Sequence, residues 1–160
     1  MVLETLKVYE RISYLPGGDI VWRGDALGNR HEQVKAIFDT AFTHGTETLE
    51  GFANVGLDVW VERFHALTQR ARYTTSGIHS ITFAIRIRDL TTGAVIGEPR
   101  SIKADLAGFG GQKAIESKSI ILTQKDRITQ HLAEVIRQEL GGVGGFQNPK
   151  LGFMKTKNNI

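Results

Sequence analysis

The clearest alternation of apolar and polar positions lies between Ile78 and Asp89, in the stretch IHSITFAIRIRD. Ile81, Phe83, Ile85 and Ile87 alternate with Thr82, Ala84, Arg86 and Arg88, the period of two that a half-buried strand needs. One side of this strand must meet a core, and the other carries Arg86 and Arg88 together on one sheet face. A second alternation sets Leu57, Val59 and Val61 against Asp58, Trp60 and Glu62, and predicts a companion strand running on through Phe64. Beyond the Ile78 strand, Thr91-Thr92-Gly93 supplies a tight turn, and Val95 to Leu106 reads as a further strand. Pro99 interrupts it, which suits a sheet edge or a bulge and not a sheet centre.

Two helical periods flank these strands. Asn29 followed by Glu32 forms a helix-start box, and behind it Val34, Ile37, Phe38, Ala41 and Phe42 make one apolar stripe that ends near Gly45 or Gly51. Ile128, Leu132, Val135, Ile136 and Leu140 make a second stripe, which Gly141-Gly142 is expected to close in a left-handed stop. The remaining segments are less regular. Leu6 to Tyr9 is a short strand candidate, followed by a loop punctuated by Pro16, Gly17, Gly18, Gly24 and Gly28. Within that loop Ile20, Val21 and Trp22 form an apolar island, and Trp22 is expected to plug the loop from beneath. Arg70 to Thr75 reads as a return arm, with Ser76-Gly77 as a turn or bulge.

This order predicts an α+β fold: a two-layer sandwich with a mostly antiparallel sheet of about four strands and two helices packed on one face. The domain is expected to span residues 1–142. Residues 143–160 follow as a Gly-rich and then basic extension that includes Lys150, Lys155 and Lys157.

Composition narrows the function more than the fold. A chain of 160 residues is one domain with enough volume for a real core. Its net charge of +3 and pI near 9.3 are only mildly basic, and the Lys/Arg stripe with interleaved aromatics of a nucleic-acid binder is missing. There is no cysteine, which excludes disulfides, thiolate metal sites and a cysteine nucleophile. No apolar run reaches transmembrane length, and MVLETLKVYE lacks the order of a signal peptide.

Catalytic signatures are equally sparse. His31, His44, His65, His79 and His131 form no HxxxH or HExxH pair. His65 and His79 could meet across neighbouring strands with Asp58 or Glu62, but nothing specifies three convergent metal ligands. Ser76, Ser80 and Ser101 have no nucleophile elbow around them. GFGGQK at Gly108 to Lys113 lacks the ending of a phosphate loop and reads as a turn. No catalytic residue, metal or cofactor is therefore expected.

The arginines are the better lead. Arg63, Arg70, Arg72, Arg86 and Arg88 all fall in the strand region, where they either pair with Asp58, Glu62, Asp89 and Asp105 or meet an anionic partner. The candidate binding set is Arg86, Arg88, Trp60, Glu62 and Arg72. Nucleic acid is disfavoured as the partner, since only Trp60 and Tyr73 offer stacking platforms nearby.

Three segments, RYTTSGIHSITFAIRIRD, DIVWRGDALGNRHEQV and TQKDRITQHLAEVIRQEL, carry a family resemblance. Together they resemble a family of small alphaproteobacterial proteins of unknown function whose members usually carry a lipoprotein signal. The resemblance spans residues 6–142 and implies a periplasmic or outer-membrane-associated protein with no catalytic residues to carry over. The chain departs from it in having no lipidation cysteine and no signal segment, and the resemblance does not extend to its basic tail.

The expectation is thus a non-enzymatic accessory or structural protein that docks onto a larger envelope assembly. Its contacts to the subunits of that assembly would come from the open sheet face and the 143–160 tail. The alternative is a binding module for a small anionic ligand, such as a lipid headgroup, held by Arg86 and Arg88. An enzyme built around His65, His79 and Glu62 has no spacing to support it.

Overall fold

The alternating stretch in the middle of the chain forms β3 (Ile78–Asp89), and the rest of the sheet assembles on it. The structure, a computed structural model, describes residues 1–10, 17–51, 53–67, 77–108, 122–142 and 144–148. The other elements are β1 (Ile20–Val21), α1 (Arg30–Thr46), β2 (Val55–His65), β4 (Val95–Lys103), β5 (Leu106–Ala107) and α2 (Gln124–Gly141). The sheet runs β1-β2-β3-β4, and β5 continues along β3 past the end of β4. It is mixed, because β1 lies parallel to β2 while the other pairs are antiparallel. The architecture is the expected α+β fold, with five strands, two of them only two residues long.

The pleat sorts the side chains as the alternation requires. Ile81, Phe83 and Ile85 are buried, and on the neighbouring strands Val61, Phe64 and Ile102 join them. From α1 come Val34, Ile37, Phe38 and Ala41, and from α2 Ile128, Leu132, Val135 and Ile136, so both apolar stripes face this core. Its centre is aromatic: the Phe83 ring meets Phe38 edge-on at 5.3 Å and Phe42 at 6.0 Å, and Phe64 bridges Phe38 and Trp22. Edge-to-face contacts of this kind add to simple burial because ring edges and faces carry opposite charge.

Between Val61 and Arg63 the register slips by one, so Glu62 is an extra residue. This bulge lets both Glu62 and Arg63 stand exposed while Phe64 still returns to the core. β4 is the edge strand, and its register also breaks, between its pairing with Ile85 and with Ile87, around Gly97 (φ +71°) and Pro99. The edge or bulge expected from Pro99 is therefore present. The β3–β4 turn holds as read: Asp89 Oδ1 accepts the N–H groups of Thr91 and Thr92, and Gly93 takes φ +74°.

Asn29 caps α1 by accepting the N–H groups of His31 and Glu32, and Thr123 caps α2 in a reciprocal box with Asp126. The helices approach closely at Gly45, where an added Cβ would lie 2.7 Å from the Ala133 carbonyl oxygen. α1 ends at Thr46, close to the nearer of the two expected stops.

Three local readings need correction. The Ile20-Val21-Trp22 island is not loop alone: Ile20 and Val21 form β1, because the exposed edge of β2 offers their backbone a partner. Leu6–Tyr9 contributes only an isolated bridge, Val8 to Ile20, and Val2 bridges Val61 further along the β2 edge. Gly142 closes α2 with extended dihedrals (φ −94°, ψ 143°), its N–H donating to Gln138, and the left-handed residues come later at Gly144 and Gly145. The return arm at 70–75, Ser76, the glycines at 110 and 111 and most of 112–122 lie outside the described residues.

Candidate functional site

Register decides which polar side chains share the side of the sheet turned away from the two helices. Asp58 stands opposite Arg86, Trp60 opposite Ala84, and Arg63 opposite Thr82 on the β2–β3 pair. On the other flank of β3, Ser101 stands opposite Ala84 and Lys103 opposite Thr82. Since Ile81, Phe83 and Ile85 point to the helices, these residues and Arg88 line the other face.

Asp58 is the hub of this face. Its Oδ2 accepts from Arg86 Nε at 3.0 Å, Arg86 Nη2 at 2.7 Å and Arg88 Nη2 at 2.8 Å. Arg88 and Arg86 together hold the Asp58 carboxyl below its usual value, so it stays ionised well into mild acid. Arg88 Nη1 also donates to the Gly93 carbonyl at 2.8 Å, which ties the guanidinium to the hairpin turn. The Arg86 guanidinium carbon lies 6.0 Å from the centre of the Trp60 ring, within reach of the ring's negative face. The result is two cations oriented by one carboxylate, with four of their N–H donors engaged among the described residues.

Four of the five sequence-chosen residues therefore sit on this one face. Arg86 and Arg88 are joined through Asp58, and Trp60 adjoins Arg86. Glu62 stands apart from the arginines and accepts a hydrogen bond from Ser101 Oγ at 2.7 Å. Arg72 lies outside the described residues, as does Arg70. Of the four carboxylates considered as partners, only Asp58 pairs with Arg86 and Arg88. Asp89 caps the turn, and Asp105 receives the Ile81 N–H and Asn148 Nδ2.

The histidines do not converge. His65 stands opposite Ser80, its Nε2 2.6 Å from the Gly18 carbonyl and its Nδ1 3.0 Å from Arg63, and burial lowers its pKa. His79 is buried on the helix side, where its Nδ1 accepts the Leu67 N–H. His65 and His79 thus point to opposite faces, and among the described residues no three metal-ligating side chains cluster. No described helix is long and apolar enough to cross a membrane.

Trp22 is the plug it was expected to be: it is 1% exposed, and its indole N–H donates to Asp25 Oδ2 at 2.8 Å. Sequence reasoning missed the Asp25–Lys125 ion pair, at 2.8 Å, which ties this plug to the first turn of α2. It also missed Glu139. This buried carboxylate takes Arg100 at 2.9 Å and the Phe146 N–H at 2.9 Å, fastening the start of the tail to α2 and β4.

A family model matches residues 1–156. The chain belongs to DUF6778, a family of unknown function. No curated protein and no solved structure matches it. The DUF6778 match takes in both layers of the sandwich and the whole Asp58–Arg86–Arg88–Trp60 cluster, but assigns that cluster no role.

Proposed function

We propose that this DUF6778 chain is a non-catalytic docking module that attaches to a larger assembly through the face of its sheet turned away from the helices. One observation carries this reading: Asp58 organises Arg86 and Arg88 beside Trp60 on a face that neither helix covers. Trp and Arg are the residue types that most often dominate contact energies, and arginines already oriented lose less freedom on binding. Residues 144–148 are engaged with their own domain, since Phe146 packs at the core margin and Asn148 pairs with Asp105. That favours the sheet face over the start of the tail as the main contact. The envelope setting, periplasm or outer membrane, rests on the likeness of three segments to proteins that usually carry a lipoprotein signal.

The test is co-purification of the natural assembly with an Arg86→Glu/Arg88→Glu variant whose circular dichroism matches the parent. Loss of the partner supports docking through this face, and unchanged co-purification refutes it. A second reading, a small anionic ligand such as a lipid headgroup, is favoured by the donors left over on the two guanidiniums. A thermal-shift screen with phosphate and soluble headgroups separates the two, because a ligand that binds only the native state raises its melting temperature.

A further inference from the structure

Among the described residues the open face carries four cations, Arg63, Arg86, Arg88 and Lys103, against two carboxylates, Asp58 and Glu62. Those charges are interleaved with apolar groups. Trp60 lies at the centre, and Leu90 and Val95, both about half exposed, flank Arg88 at the hairpin end. Leu90 lies over Gly56, where a Cβ would come within 2.8 Å of it.

We propose that the occupant of this face is an acidic protein segment, whose carboxylates meet Arg86 and Arg88 while an apolar side chain rests on Trp60. This rests on the docking reading above and names its partner. Three alternatives fit less well. A second copy placed face to face would set net positive charge against itself. A sheet of anionic lipid presents nearly uniform negative charge, so it would press on Asp58 and Glu62 as well as on the arginines. Discrete carboxylates on a protein can address the guanidiniums and leave those acids alone. Duplex nucleic acid has the same uniformity, and among the described residues this face offers it only Trp60 as an aromatic platform.

Area sets the character of the contact. Three strands about 4.8 Å apart and some nine residues long cover roughly 400 Å². A stable complex buries about 800 Å² per partner, so this face alone supports a weak, electrostatically steered contact that salt disrupts.

The experiment follows the indole N–H signals of ¹⁵N-labelled protein. Trp60 reports on the face, and Trp22, buried and bonded to Asp25, is the internal control for folding. Poly-L-glutamate is titrated in, with poly-L-lysine and phosphatidylglycerol vesicles in parallel. A saturable shift of Trp60 with poly-L-glutamate, weakened about tenfold or more by Arg86→Gln/Arg88→Gln and by raised salt, supports the proposal. No Trp60 shift, or a stronger response to the vesicles, overturns it. A photoreactive residue at Thr82 in producing cells tests the underlying reading separately. Cross-linking to a protein segment without carboxylates leaves docking standing and overturns the acidic partner. No cross-linked protein at all overturns docking itself.

Discussion

Phe83 is the side chain whose loss tests the helix-covered side of the sheet most severely. It is fully buried, and it meets Phe38 at 5.3 Å and Phe42 at 6.0 Å. Phe83→Ala removes the transfer energy of the ring and leaves a cavity that the two helices cannot fill, a loss of about 3–5 kcal/mol. A domain of this kind is stable by only about 5–15 kcal/mol, so about a fifth of its stability or more goes. With a urea slope of about 2 kcal/mol per molar, the unfolding midpoint falls by roughly 2 M. The assay is urea denaturation followed by circular dichroism, with the slope checked for constancy. The neighbouring substitution Thr82→Ser, on the opposite face, should stay within about 0.5 kcal/mol. A Phe83→Ala loss below about 1 kcal/mol, or equal losses at both positions, would refute the assignment of faces.

Three further outcomes follow from the same packing. His131, on α2, is half-buried against the Ala104 segment that follows β4, with Nε2 3.2 Å from the Ala104 carbonyl and Phe146 edge-on at 6.2 Å, and burial lowers its pKa despite the backbone contacts to Ala104 and Asp105. The neutral ring therefore contributes stability that is in place above its unfolded value of about 6.5 and is lost as pH falls below it. Urea midpoints should drop as pH falls from about 7.5 through 6.5, buried His65 acting in the same direction, and His131→Gln should make that slope shallower without abolishing it. Gly45→Val forces a side chain against the Ala133 carbonyl, and thermal or urea unfolding should show a loss of about 1–3 kcal/mol. Thr123→Ala removes the hydroxyl that accepts the Asp126 N–H and should lower stability by about 1 kcal/mol in the same assay.

What the sequence made legible depended on how far each pattern extends. The alternation from Ile81 to Ile87 and the stripes of Val34–Phe42 and Ile128–Leu140 run over several periods, and they settle element type and buried side on their own. Ile20 and Val21 do not, since two residues make no period, and only the edge of β2 turns them into a strand. The bulge at Glu62 was invisible because its cause is the cross-strand register, although the shift from Val61 to Phe64 was its trace. The same register picks Asp58 from four plausible carboxylates as the partner of both Arg86 and Arg88. Spacing along β3 shows that two arginines share a face; which acid orients them is a property of β2. Glu139 was hidden for a related reason, since its partners, Arg100 and Phe146, arrive from β4 and from the segment after α2.

The central claim is that the Arg86 side of β3 faces outward, free for a partner, while the Phe83 side faces the helices. Because the chain has no cysteine, single-cysteine variants report on this without background. Thiol reaction rates of Thr82→Cys and Arg86→Cys, compared with Ile81→Cys and Ile85→Cys, read the two faces directly under native conditions. The account predicts rapid modification at 82 and 86, protection at 81 and 85, and slowing at 82 and 86 alone once the natural assembly is formed. Comparable rates at all four positions, or protection at 82 and 86 in the isolated protein, would contradict it.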